Sequence, residues 1–165
     1  MQDSDLLQTI AEIAVALTGF TGVVAFLGDR AQGEWRAVDL FRLNNLLLSS
    51  IAALTFSFVP ILVFKLGASE FAAWRWSSGL FAAFLLVQLE HSRRAMWRLP
   101  EPEQVEIVRP IAAALVVIQS GVSVLLVTSA VGVAYSGESG PFFLGLVWLL
   151  GFSAFQFVRL LLVLR

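Results

Sequence analysis

Five stretches of about twenty mostly apolar residues, at 6–27, 45–64, 71–89, 110–135 and 141–163, leave this chain few ways to fold. A helix rises 1.5 Å per residue, so about 20 residues cover the ~30 Å of hydrocarbon in a bilayer. In that solvent every backbone N–H and C=O must be paired within the structure, which permits only helices and closed barrels. The alternating ten-residue pattern of barrel strands is missing here. The expected fold is all-α: a polytopic integral membrane bundle of five transmembrane helices, one domain spanning 1–165 in contact with the lipid bilayer.

Composition narrows the function classes. The chain is 58% hydrophobic and 14% charged, against roughly 45–50% apolar residues in soluble domains. Net charge is −1 and the basic residues form no single patch, so no nucleic-acid partner is expected. With no cysteine, disulfides, thiolate metal ligands and cysteine nucleophiles are ruled out. The lone histidine, His91, has no Ser/Asp arrangement beside it, and no glycine-rich phosphate loop or zinc-helix spacing occurs. Neither an enzyme nor a metal site nor a cofactor is expected.

Charge placement orients the spans. The opening "MQDSDLLQ" carries Asp3 and Asp5 where a signal peptide would carry Lys or Arg, so the first span is expected to be retained. Two links are short: "KLGASE", with Gly67 to stop one helix and Ser69 to cap the next, and "SGESGP", with Pro141 suited to a first turn. Both fall on one side of the membrane. The other side receives the long links with Arg30, Arg36, Arg42, Arg93, Arg94, Arg98 and Arg109, together with Arg159 and Arg165, nine basic residues against Lys65 and Arg75 opposite. Cytoplasmic loops collect Lys and Arg, so the N-terminus is expected outside and the C-terminus in the cytoplasm. Ten arginines to one lysine is a usage associated with GC-rich bacteria, hence an expected bacterial inner-membrane location. The second and third helices are expected to continue into the cytoplasm, with Glu90 and Arg94 four apart and able to pair. Trp35, Trp74, Trp76 and Trp97 are expected to form an aromatic belt at the span ends.

Polar residues within the spans are the candidate functional positions. At 100° per residue Asp5, Gln8, Glu12, Ala16, Gly19 and Val23 share a narrow stripe of the first helix, opposite Leu6, Ile10, Ile13, Leu17 and Val24. A charge facing lipid costs at least ~2.5 kcal/mol, so the stripe is expected to face protein or water and the greasy side the bilayer. Glu12 then lines a pore or carries protons, or is a hydrogen-bonded packing residue. Gln119, amid Ser and Thr in the fourth span, reads as interhelical glue before pore lining. Pro60 is expected to kink the second helix. Near the basic end Arg42, Asn45, Gln88, His91, Gln156 and Arg159 should lie at similar depth. They form either a polar vestibule biased toward anions or a set of snorkelling side chains and helix caps.

The expected function is a small channel or transporter subunit conducting an ion or a proton, assembled as a homo-oligomer because five helices enclose little space. The alternative is a non-conducting scaffold, sensor or partner subunit.

Overall fold

Long runs of Leu, Ala, Val and Phe with few internal breakers form helices throughout the computed structural model, which describes residues 3–32, 36–105 and 109–163. Among the described residues six helices follow one another: α1 (Ser4–Gln32), α2 (Ala37–Lys65), α3 (Glu70–Trp97), the short α4 (Glu101–Val105), α5 (Arg109–Val131) and α6 (Gly140–Val163). Among the described residues there is no strand. Trp35, Arg165 and the side chain of Arg30 lie outside the described residues.

Among the described residues four helical segments are long and apolar enough to cross a membrane: Ser4–Phe26, Ala37–Lys65, Arg109–Val131 and Gly140–Leu162. The expected third span, 71–89, is not among them. Its helix α3 has 28 residues, about 42 Å at 1.5 Å each, so length is not the obstacle. Arg75, Ser77, Ser78 and Gln88 dilute its apolar content, and three of these four are buried. A helix with α2, α5 and α6 around it keeps polar groups against protein, where lipid-facing helices need oil-soluble surface.

The short links behave as their residues dictate. Gly67, at φ 97°, takes the left-handed conformation that closes α2. Ser69 Oγ then accepts the Ala72 N–H at 3.2 Å and caps α3. α2 and α3 consequently run antiparallel, with Ser92 Oγ donating to Asn45 Oδ1 and Gln88 Nε2 to Ser49 Oγ in matching order. α2 stays one helix through the buried Pro60.

α2 is the hub: α1, α3 and α6 all pack on it, while α5 lies mainly on α3. Toward the end of the bundle that holds the two short links, aromatic rings fill the centre. Phe56 stacks on Phe81 at 4.5 Å, Phe81 meets Phe142 edge-on at 5.2 Å, and Trp74 meets Phe142 at 5.6 Å. Trp74 is thus a core residue, not the belt residue expected from its place near a helix start, whereas Trp76 and Trp97 are exposed. The ring of Phe81 fits because α6 offers a glycine there: a Cβ at Gly145 would sit 2.6 Å from Phe81 Cε1. Arg75, one of the two basic residues at this end, reaches across to the C-terminus of α5. Its Nη2 and Nε donate to the Ala130 carbonyl at 3.0 and 3.1 Å, satisfying an acceptor the helix end leaves open.

Gly145→Ala should therefore force the Phe81 ring aside and lower stability by about 1–3 kcal/mol, the usual penalty of an extra methyl in a full core. Thermal unfolding of the two proteins in the same detergent measures this; equal midpoints would mean the ring has room to move.

Candidate functional site

Polar side chains gather in two zones, one inside the bundle and one on its outer surface. The inner zone occupies the half of the bundle that carries the long, arginine-rich links. It begins at the first turn of α2, where Asp39 Oδ1 accepts from Arg42 Nη1 at 2.9 Å, with both side chains nearly inaccessible at 3% and 6%. Asp39 Oδ2 also takes Arg36 Nε at 2.9 Å. One carboxylate facing two guanidinium groups is a charge-assisted arrangement, stronger than a neutral pair. Glu103, on α4, accepts the Val38 N–H at 2.6 Å and supplies the cap that Arg36 does not provide to α2 with its own side chain.

One turn deeper, Asn45 donates to the Phe41 carbonyl at 2.9 Å and accepts from Ser92 at 2.7 Å. Gln88 donates to Ser49 at 2.9 Å, and the hydroxyls of Ser50 and Ser153 lie 2.5 Å apart, tying α2 to α3 and α6. Gln156 is buried on α6, and its Oε1, like that of Gln88, has no hydrogen-bond partner among the described residues. Arg159 is half-buried, with its guanidinium over the Phe155 ring at 5.7 Å.

Arg42, Asn45 and Gln88 are all buried, each on a different partner: Arg42 on Asp39, Asn45 on Ser92 and Gln88 on Ser49. His91 does not join them: it lies exposed on the outside of α3. Gln119 is buried elsewhere, donating from Nε2 to the Leu85 carbonyl at 2.9 Å, so its amide is committed to holding α5 on α3. Asp39, Glu103 and the serines at 49, 50 and 153 were not singled out in the sequence. Asp39 could have been, since it stands three residues before Arg42, the spacing of a helical ion pair. The serines carry no such signal.

Beyond Ser50 the polar groups are scattered: Ser57 turns back to the Ala53 carbonyl at 2.7 Å, while Ser77 Oγ, Ser78 Oγ and Trp148 Nε1 are buried with no hydrogen-bond partner among the described residues. The inner zone is buried and bonded mostly within the bundle.

The outer zone is on α1. Leu7, Ile10, Ala11, Ala14, Thr21 and Val24 are buried against the bundle, whereas Gln8, Glu12, Ala16, Gly19 and Val23 are exposed. The stripe expected to face protein or water looks away from the chain's own helices; of the residues expected toward lipid, Leu6 and Ile13 are exposed while Ile10 and Val24 pack inside. The physical reason is that lipid tails and a leucine-rich core are equally apolar, so the greasy side of a membrane helix has no preference between them. Gln8 Nε2 donates to Glu12 Oε1 at 3.0 Å, one turn apart on this open face.

At the far end of α3, Glu90 accepts from Arg93 at 2.8 and 2.9 Å and from Arg94 at 2.6 Å. These bonds, Arg93 first and Arg94 second, lower the Glu90 carboxyl to about 2 from an ordinary 4.5. A depressed acid stabilises the folded state above its ordinary value and ceases to do so as pH falls through the lowered one.

Helices of spanning length with apolar residues such as Val87, Val117 and Leu162 turned outward define a multi-pass membrane protein. Compared with known protein families, curated proteins and solved structures, the chain matches none.

Two outcomes follow for this region. Asp39→Ala strips the buried Arg42 of its partner and should cost about 3–5 kcal/mol in detergent unfolding, whereas Asp39→Leu combined with Arg42→Met should recover most of it. If the single and double variants unfold alike, the pair is not what holds the end of α2. A carboxyl NMR titration should find the Glu90 midpoint near 2, returning toward 4.5 when Arg93→Gln and Arg94→Gln are combined. The pair's contribution should be present above that ordinary value, vanish as pH falls toward the lowered midpoint, and weaken with added salt.

Proposed function

We propose that the chain is a subunit of a homo-oligomeric channel or transporter in a bacterial inner membrane, conducting a proton or small ion along surfaces shared between copies. The observation that carries this reading is the exposed Gln8–Glu12 pair on a segment long and apolar enough to span a bilayer. Glu12 lies eight residues beyond the start of α1, about 12 Å along its axis at 1.5 Å per residue. Lipid offers a carboxyl group no partner at that depth, and ionisable residues within spans mark ion and proton routes. The aromatic cluster of Phe56, Trp74, Phe81 and Phe142 argues against a route through one bundle. A path between copies avoids it.

In this reading α3 is a fifth crossing, since it runs antiparallel to α2 and presents Leu80, Leu86 and Val87 outward. Five crossings with nine basic residues at one end against two at the other give an external N-terminus and a cytoplasmic C-terminus. Arg75, bonded to α5 carbonyls, is a structural exception to that asymmetry.

A second reading, a non-conducting scaffold, sensor or partner subunit, is favoured by the inner zone, where Asp39 pairs with Arg36 and Arg42, Asn45 bonds Ser92 and Gln88 bonds Ser49.

Reconstitution in liposomes separates the two. Channel function predicts ion or proton flux dependent on the protein, with Glu12→Gln changing its rate at least tenfold or removing its pH dependence. Liposomes that stay tight to protons, alkali cations and chloride would leave the scaffold reading.

A further inference from the structure

The open face of α1 is unlike any other outer surface of the bundle. Gln8, Glu12, Ala16 and Gly19 fall within an arc of about 80°, centred roughly opposite the buried Leu7, Ile10, Ala14 and Thr21 at 100° per residue. Large outer residues elsewhere, such as Phe58, Leu62, Val124 and Val147, are apolar and suit acyl chains, and the exposed Thr55 spends its hydroxyl on the Ile51 carbonyl. Here two polar side chains are followed by two small ones. No heavy atom lies within 4 Å of the position a Gly19 Cβ would take, so nothing in the chain itself fills that notch.

We infer that this face docks a second copy of the chain, with Gln8 and Glu12 of each copy hydrogen-bonded to those of the other. Copies inserted in one direction bring their α1 helices together in parallel, so residues of equal number meet at equal depth. The polar pair is suited to meeting itself. Within one chain, Gln8 Nε2 gives one N–H to Glu12 Oε1 at 3.0 Å. The second amide N–H, the amide oxygen and the other carboxyl oxygen remain open, which provides a donor and acceptors on each side of a two-fold contact. Ala16 and Gly19 then let the two backbones approach closely, as small residues do where membrane helices associate. A lipid tail could fill the notch but could not answer the amide or the carboxyl.

The contact deepens the channel reading by naming what joins the copies, and rests on it only in taking them to share one membrane and one direction. Because the chain contains no cysteine, one introduced thiol reports the contact unambiguously. The full chain carrying Ala16→Cys, reconstituted in phosphatidylcholine–phosphatidylglycerol vesicles and oxidised with copper phenanthroline, should form a covalent dimer. Val117→Cys, exposed on α5, should not. Adding Gly19→Leu, a change with no neighbour to disturb within the chain, should reduce the Ala16 cross-link at least tenfold. Glu12→Leu with Gln8→Leu should do the same, while Glu12→Gln, which keeps a donor and an acceptor, should preserve it. A wild-type chain monomeric in vesicles, an Ala16 cross-link indifferent to Gly19→Leu, or dimers formed equally through Val117→Cys would each overturn the inference. A cross-link without flux would remove the channel and keep the contact; flux without the cross-link would do the reverse.

Discussion

A polar group in hydrocarbon must find a partner within the protein, and nearly every feature of this bundle is a response to that demand. It selects helices, whose backbones bond internally. It sends the hydroxyls of Thr18, Thr21, Thr55 and Ser57 back to carbonyls four residues earlier on their own helices. It explains why Arg75 sits on the open carbonyls of α5 and why Asp39 is shared by Arg36 and Arg42. Where the demand is met inside the chain, the result is packing. Where it is not, on α1, the chain is left with a surface that suits neither lipid nor its own core.

α2 shows how the two halves of the interior divide the work. Its first half holds Asp39, Arg42, Asn45, Ser49 and Ser50, each bonded on α2 itself or to α3 or α6; its second half contributes Phe56 to the aromatic cluster. Hydrogen bonds between helices are directional and fix register at this end of the bundle. Aromatic packing fills volume without dictating register, and at the other end the short turn through Gly67 already sets it. There Phe56, Phe81 and Phe142 bring α2, α3 and α6 into contact.

Length and hydropathy made the helices legible in the sequence, since both are one-dimensional quantities that a bilayer reads directly. The caps were legible too: Gly67 and Ser69 act through their own backbones. The facing of α1 was not. Periodicity separated the Glu12 stripe from the Ile10 stripe, but choosing which one turns inward needs a contrast between core and solvent that lipid does not supply. Trp74 failed for a related reason, because an aromatic near a helix end suits a headgroup belt and a core of Phe equally well. The Ser50–Ser153 contact joins residues 103 apart, and only the folded chain brings them together. His91 looked like a member of the inner group because depth was read correctly and azimuth was not.

What these misreadings share is informative about where function resides. In a soluble protein a polar stripe marks the outside, and in a self-sufficient membrane protein it marks the inside. A spanning helix that turns Gln8 and Glu12 outward fits neither pattern as a single chain. The polar groups of the inner zone are bonded mostly to one another and to nearby helices, so they stabilise what is already built. Those of α1 keep bonding capacity in reserve at a depth where water is scarce and lipid is inert. The exposed Gln8–Glu12 pair therefore sets α1 apart from the inner polar groups, most of whose bonds are made within the bundle.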